Sequence, residues 1–99
     1  MLYAIIGQDV DNSLPARKAA RPAHIERLRE LQKQGRLVLA GPCPVADAPD
    51  LSAGATGSLL VLEFDSLAEA TEWANADPYV KAGVYASVTI KPFIKALPE

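Results

Sequence analysis

Residues 58–69, SLLVLEFDSLAE, decide the fold class because they join a strand pattern directly to a helix start. The apolar side chains of the strand alternate between its two sides, with Leu60, Leu62 and Phe64 on one and Leu59 and Val61 on the other. Ser66 followed three residues later by Glu69 is the capping box that opens a helix. The stretch therefore predicts a strand over 58–64 with two apolar faces, followed by a helix.

The sequence on either side of this stretch predicts three more strands and further helical segments. The strands are Leu2–Gly7, Arg36–Ala40 (stopped by GPCP at 41–44) and Tyr85–Phe93, and residues 45–57 form the longest loop. A helical pattern begins at Pro15, and Pro22 is predicted to open a new helical segment that ends at Gly35. Residues 77–83, DPYVKAG, predict a short helical turn.

The predicted order β-α-β-β-α-β is typical of an α+β ferredoxin-like sandwich, with two helices on one face of a four-stranded antiparallel sheet. The sheet face without helices is expected to be polar in a monomer. The first and third strands are apolar on both faces instead, because Leu2, Ala4 and Ile6 oppose Tyr3 and Ile5. We therefore expect a symmetric homodimer that packs sheet on sheet.

Composition and charge argue against several classes of function. The 99 residues fit one domain, 1–99, with 49% apolar and 22% charged residues and a net charge of -2. Ten basic residues scattered among twelve acidic ones form no basic stripe, so no nucleic-acid partner is expected. No membrane span is expected, and the N-terminus lacks the basic region of a signal peptide. We therefore expect a cytoplasmic protein.

The chain also offers little for a metal or a cofactor to bind. One histidine and one cysteine make a thin ligand set, so no metal site is predicted. No glycine-rich phosphate loop follows a strand, so nucleotide binding has no support, and we expect no cofactor. Cys43 as a nucleophile is a weak hypothesis, because nothing in GPCP supplies the positive group that activates a thiol.

His24, the only histidine, is the first candidate catalytic residue. At about 100° per residue it shares the apolar, sheet-facing stripe of its helix with Leu28, Leu31 and Ile25. If Pro22 opens the segment, His24 lies in the first turn, where the helix dipole favours a neutral imidazole that can exchange a proton. The plain alternative is a buried core histidine with one hydrogen-bond partner.

Asp77 is the candidate partner for His24. In ADPYV it also fits a simple structural role as the N-cap of a helix whose first residue is Pro78. The two roles are compatible, because a capping carboxylate has a second oxygen. Sequence spacing alone does not show whether His24 and Asp77 meet.

Four further residues are candidates for substrate binding: Ser58, Tyr79, Tyr85 and Arg21. Ser58 follows a turn and can donate a hydrogen bond, or simply be a polar residue at a strand end. Tyr79 and Tyr85 can line a pocket or pack as amphipathic side chains. Arg21 can attract an anionic substrate or be a solvated surface residue.

Five segments, in this order and spacing, closely resemble the YCII-related family: MLYAIIGQD (1–9), RPAHIERL (21–28), GRLVLAGP (35–42), TGSLLVLEF (56–64) and ADPYVKAGVY (76–85). The most specific parts are R-P-x-H, the G-P after the second strand, and D-P-Y followed by A-G-V-Y. The resemblance implies a ferredoxin-like fold that dimerises into an α+β barrel. It also implies an active site of a histidine and an aspartate, which fall here on His24 and Asp77.

The resemblance extends to function only in outline. The family is similar in fold to muconolactone isomerases and small cofactor-free monooxygenases, and some relatives are linked to removal of halide from chlorinated aromatic compounds. We therefore expect an acid–base enzyme acting on a small molecule through His24 and Asp77, by isomerisation, elimination or hydrolysis. The alternative is a non-catalytic dimeric module that binds a small molecule or a partner.

Overall fold

One antiparallel sheet and three helices make up the computed structural model, which describes residues 1–99. The strands are β1 (Leu2–Asp9), β2 (Leu37–Pro44), β3 (Ala55–Glu63) and β4 (Tyr85–Phe93), and the helices are α1 (Leu14–Lys33), α2 (Leu67–Asn75) and α3 (Pro78–Lys81). The strand order is β2-β3-β1-β4, with every neighbouring pair antiparallel. This is the predicted α+β ferredoxin-like fold, and β4 has the predicted bounds.

The core lies between the sheet and the two long helices. Its nine buried residues come from β1, β3 and the residue after it, α1 and α2: Tyr3, Ile5, Leu28, Leu31, Leu60, Leu62, Phe64, Ala70 and Ala74. The strand residues among them come from one of the two apolar faces that the sequence predicts for β1 and for β3. Ser66 caps α2 as predicted, since its hydroxyl accepts the backbone N–H of Glu69 at 3.1 Å.

The opposite face of the sheet carries no helix and is partly apolar. Ile6 and Leu59 are directly paired across β1 and β3 on this face, and they are 42% and 39% exposed. Leu39 of β2 is also exposed. The two-sided apolar pattern of the strands therefore leaves an uncovered apolar surface on a single chain.

The prediction that Pro22 opens a new helical segment is wrong. Helix α1 runs unbroken from Leu14 to Lys33 with Pro22 in its interior. A proline there removes one helical hydrogen bond, and packing of the buried face of α1 against the sheet compensates for that loss. His24 therefore lies near the middle of α1, so the expected influence of a helix N-terminus on its ring does not apply.

The predicted end of the second strand and the start of the third also need correction. Strand β2 continues through Pro42 and Pro44 because it is an edge strand, and a proline there need not donate to a second neighbour. Strand β3 begins at Ala55, and its Gly57 pairs with Cys43 and Gln8. The longest loop shortens to residues 45–54.

Two glycine positions are fixed by geometry. Gly35 has φ of +71° just beyond α1, where it ends the helix as predicted. Gly57 lies so close to β1 that a Cβ atom would collide with the carbonyl oxygen of Gly7.

No helix is both long enough and apolar enough to cross a membrane.

Candidate active site

A cleft of about 770 Å³ lies between α1 and the β2–β3 half of the sheet. Leu14, Ile25 and Leu28 line it from α1, while Leu37 and Ala40 line it from β2. The loop over residues 45–54 contributes Leu51 and Ser52 to its wall. The cleft therefore combines an apolar wall with polar and charged side chains that can orient a ligand.

The charges on the cleft wall are all positive. Arg17, Lys18, Arg21 and Arg29 line the cleft, and no aspartate or glutamate is among its lining residues. Arg21 is exposed, as the predicted attraction of an anionic substrate requires. The wall therefore favours a negatively charged ligand.

His24 and Asp77 meet in the interior beside this cleft. The Nδ1 atom of His24 lies 2.9 Å from Oδ1 and 3.0 Å from Oδ2 of Asp77. Both side chains are buried, with residue exposures of 5% and 2%. Sequence separation hides this contact, because the two residues are 53 positions apart.

The carboxylate of Asp77 is held from two other sides. Its Oδ1 atom accepts the backbone N–H of Tyr79 at 2.8 Å, so Asp77 is also the N-cap of α3. The Nη1 atom of Arg27 lies 3.9 Å from its Oδ2 atom. Burial lowers the pKa of Arg27, and the charge of Asp77 acts in the opposite direction. The capping role and the contact with His24 thus occur together.

These contacts define which nitrogen of His24 faces the cleft. An ionised carboxylate only accepts hydrogen bonds, so the imidazole tautomer that fits this contact is the one that carries its hydrogen on Nδ1. The Nε2 atom makes no hydrogen bond within the chain, and His24 lines the cleft. In the neutral ring Nε2 therefore keeps a lone pair that can take a proton from a bound molecule.

Tyr79 fixes the plane of the imidazole. Its ring stacks on His24 with centroids 3.9 Å apart and planes inclined by 12°. Tyr79 is buried and lines the cleft. Burial raises the pKa of the Tyr79 phenol, against the opposing charges of Arg17 and Arg21. The hydroxyl therefore stays protonated at neutral pH.

Tyr85 is not on the cleft wall, where the sequence interpretation placed it. Its ring packs across Gly7, which has no side chain to block it, and meets Tyr79 edge-on at 5.6 Å. The hydroxyl is buried without a hydrogen-bond partner in the chain, and burial raises its pKa. Tyr85 therefore supports Tyr79 from behind.

Arg17 is the principal site residue that the sequence interpretation missed. Its Nε and Nη2 atoms donate to the two carboxylate oxygens of Asp9 at 2.7 and 3.0 Å. Nη2 also donates to the Gly57 carbonyl at 2.9 Å and to Ser58 Oγ at 2.8 Å. The guanidinium carbon lies 5.0 Å from the centre of the Tyr79 ring. This network links buried Ser58, a predicted substrate-binding residue, to the site.

A signal for Arg17 was available in the sequence. It precedes His24 by seven residues, so both belong to the same face of one helix. An arginine on a buried face needs a charged partner. The partner, Asp9, ends β1, whereas residues 9–14 read as simple turn and capping residues.

Two weaker ideas find no supporting geometry. Cys43 is an exposed free thiol on the edge strand β2 and is not among the residues that line the cleft. No three His, Cys, Asp or Glu side chains come together in an arrangement that could hold a metal ion.

Known proteins resemble this chain in sequence over most of its length. The family model described as the YCII-related domain matches residues 1–94. Protein YciI of Escherichia coli is 53% identical over 96 residues, which is 96% of this chain and 98% of that protein. The derivative of benzaldehyde biosynthesis cluster protein C of Emericella nidulans is 35% identical, covering 83% of each chain.

A solved structure shows the same fold. It is the 5-chloro-2-hydroxyhydroquinone dehydrochlorinase TftG of Burkholderia phenoliruptrix, in complex with 2,5-dihydroxybenzoquinone. The TM-score is 0.84 at 29% identity, and the match covers 95% of this chain and 94% of that one. In that protein, a chain of this fold and similar length forms an enzyme that acts on a small molecule.

Proposed function

The chain belongs to the YCII-related family, and on this premise we propose that it is a small-molecule enzyme in which His24 transfers a proton. The substrate is a small organic acid bound in the cleft between α1 and the β2–β3 half of the sheet. Asp77 fixes the imidazole, and the reaction is an isomerisation or an elimination of a small leaving group. Neither residue needs a cofactor for this chemistry.

The observation that carries the proposal is the His24–Asp77 contact at the wall of the cleft. Both carboxylate oxygens lie within 3.0 Å of Nδ1, which leaves Nε2 as the unoccupied nitrogen of a residue that lines the cleft. A buried carboxylate in this position orients an imidazole and stabilises the imidazolium that forms when Nε2 takes a proton. Such general acid–base catalysis typically contributes about 10²–10⁴-fold to a rate.

The chemical steps follow from this geometry. Nε2 accepts a proton from an acidic O–H or C–H bond of the substrate, whose electron pair remains on the substrate as an oxyanion. Return of the proton to a different atom completes an isomerisation. Departure of a leaving group with its electron pair completes an elimination, and the proton then passes to solvent.

The cleft supports an anionic or strongly acidic substrate. Lys18, Arg21 and Arg29 place positive charge around the oxyanion, and Arg17 adds to it although its charge is paired with Asp9. The structural similarity to a dehydrochlorinase of a hydroxylated aromatic ring supports the same substrate class. We therefore choose hydroxylated ring compounds as the first probes.

A non-catalytic binding module is the second candidate function. The one observation that favours it is the N-cap that Asp77 provides for α3, because that role alone accounts for a buried aspartate here. In that case the cleft holds a metabolite without turnover. Binding without proton transfer distinguishes this function from the first.

The proposal includes a homodimer in the cytoplasm. The exposed apolar pair Ile6 and Leu59 on the uncovered sheet face supports sheet-on-sheet pairing of two copies. The exposed free thiol of Cys43 is compatible with a reducing compartment.

Hydrogen–deuterium exchange on a bound probe tests the proposed proton transfer without knowledge of the natural substrate. The probe is 2,5-dihydroxybenzoquinone, the compound bound to the structural neighbour, whose ring C–H groups can exchange through protonation of the conjugated oxyanion. In deuterium oxide we expect the protein to accelerate this exchange by about 10²–10⁴-fold, followed by NMR.

Two variants complete the test. His24→Gln keeps a polar side chain without a basic nitrogen, and exchange should return to the uncatalysed rate. Gln34→Ala removes an exposed polar residue that does not line the cleft and should keep the acceleration. Saturable binding of the probe with no accelerated exchange by the unmodified protein would support the binding module.

A further inference from the structure

Arg17 is buried, yet part of its guanidinium remains without a partner. Its four hydrogen bonds use only Nε and Nη2, and Nη1 bonds to nothing in the chain. Buried polar side-chain atoms that lack a partner are confined to Arg27 and Tyr85. The Nη1 atom of Arg17 is therefore accessible, and Arg17 lines the cleft. Two N–H donors of a fixed, 96%-buried cation remain available there.

Ser58 supplies a third donor at the same place. Its Oγ atom accepts a hydrogen bond from Arg17 Nη2 at 2.8 Å and has no acceptor for its own hydrogen within hydrogen-bond distance, although it lies close enough to the Tyr85 phenol to oppose the rise in the pKa of that group. Ser58 also lines the cleft. Because Oγ is occupied as an acceptor by Arg17, its own hydrogen is free for an acceptor in the cleft.

We propose that Arg17 and Ser58 form an oxyanion-binding subsite that holds the acidic oxygen of a single-ring substrate next to His24. This inference rests on the proposed function, because it names the substrate class of the same site. Arg17 and Ser58 are binding residues, whereas Asp9 is a positioning residue that acts through Arg17.

Tyr79 sets an upper limit on the distance between His24 and Arg17. The His24 imidazole and the Arg17 guanidinium carbon lie 3.9 and 5.0 Å from the centre of the same Tyr79 ring, so they are at most about 9 Å apart. A single six-membered ring with an oxygen substituent is long enough to bind Arg17 at one end and reach Nε2 with the other at any separation up to this limit. The apolar side chains of Leu14, Ile25 and Leu28 cover the faces of such a ring.

Asp9 makes the subsite rigid. It accepts two bonds from Arg17 and a third from the Ser13 hydroxyl at 2.6 Å, and its side chain is 1% exposed. Burial by itself lowers the pKa of Arg17, whereas the hydrogen bonds and negative charge of Asp9 raise it. The net effect is a raised pKa. Arg17 therefore stays charged, and little side-chain entropy remains to be lost when a ligand binds.

Calorimetric titration with 2,5-dihydroxybenzoquinone tests the subsite through affinity alone. Ser58→Ala removes the free hydroxyl and should weaken binding about tenfold, while Arg17 keeps its bonds to Asp9 and Gly57. Arg17→Lys keeps the charge beside Asp9 but loses the forked donor geometry, and should weaken binding roughly 10–100-fold.

The matched control is Ser52→Ala. Ser52 also lines the cleft, but its hydroxyl already donates to Asp50 at 2.7 Å. Its removal should therefore change the affinity by less than about threefold, within the range of a lost exposed contact. Circular dichroism and thermal unfolding establish that the variants remain folded.

The outcomes separate this subsite from the proposed catalysis. Affinity that depends on Ser58 and Arg17 but not on Ser52 supports the subsite, even if the bound probe exchanges no hydrogen and the acid–base role of His24 is refuted. Equal losses in Ser52→Ala and Ser58→Ala would overturn the subsite. So would the absence of saturable binding to the unmodified protein at millimolar probe.

Discussion

Replacing Asp77 with asparagine separates the two roles of this residue. Asparagine has the same shape and is an equally good N-cap, so its amide oxygen can still accept the backbone N–H of Tyr79. It loses the negative charge of the carboxylate, whose oxygens lie 2.9 and 3.0 Å from Nδ1 of His24 and accept its N–H. The variant therefore keeps α3 and weakens the control of the imidazole.

The magnitude follows from the contacts that are lost. A hydrogen bond to a charged group contributes about 1.5–3 kcal/mol, and Asp77 is buried, with 2% of its surface exposed. We expect the free energy of unfolding to fall by about that amount. An amide N–H of asparagine can donate to Nδ1, which moves the ring hydrogen to Nε2. The same change in a serine protease triad costs about 10⁴ in rate, so we expect a loss of about 10²–10⁴-fold in probe exchange.

Two assays measure these losses. Urea unfolding is followed by the fluorescence of Trp73, the single tryptophan, whose ring lies 5.7 Å from that of Phe64 in the core. Probe exchange is followed by NMR, and Asp11→Asn in an exposed turn is the matched control. An Asp77→Asn protein that loses stability but keeps its exchange rate within about threefold would refute the orienting role and leave only the cap.

Three further predictions concern the parts of the fold around the site. Burial raises the pKa of Tyr85 above the usual value of about 10, so the folded protein retains a proton that the unfolded chain loses, and stability falls as the pH rises above about 10. In Tyr85→Phe, urea unfolding between about pH 7 and pH 11 should show a smaller fall in stability. Stability at pH 7 should not be lower, because the hydroxyl has no hydrogen-bond partner in the chain. An unchanged dependence of stability on pH would contradict this prediction. Gly57→Ala should lower the free energy of unfolding by about 2–3 kcal/mol or prevent folding, because its Cβ atom meets backbone. Gly41→Ala has open space around it and should lower the free energy of unfolding by less than about 1 kcal/mol. Similar losses of stability in the two variants would refute the steric reasoning. Leu59→Lys should convert the proposed homodimer to a monomer in analytical ultracentrifugation, and a dimer that persists would exclude this sheet face as the interface.

The fold follows from the sequence wherever local patterns and packing agree. The alternation in 58–64 correctly predicts a strand, and Gly35 and Ser66 end and begin helices where expected. Local patterns fail where tertiary packing outweighs them. Pro22 does not interrupt α1, because the buried face of that helix is continuous through it.

The candidate site is only partly visible in the sequence. His24 is conspicuous as the single histidine on a buried helix face, but its contact with Asp77 spans 53 positions and depends on how α3 packs against α1. Arg17 was overlooked because its place in the site depends on hydrogen bonds to Asp9 and Ser58, which lie on two different strands. Side chains that act through such non-local contacts become evident only once the strands are in register.

The most direct test of the central claim is the nitrogen NMR spectrum of the imidazole in the unmodified protein. His24 is the only histidine, so ¹⁵N labelling of histidine gives one ring with no assignment ambiguity. At about pH 8, where a free imidazole is neutral, we predict a protonated Nδ1 with a slowly exchanging hydrogen and an unprotonated Nε2. A protonated Nε2 with a bare Nδ1 would contradict the account, because the nitrogen assigned to proton transfer would then have no lone pair to offer.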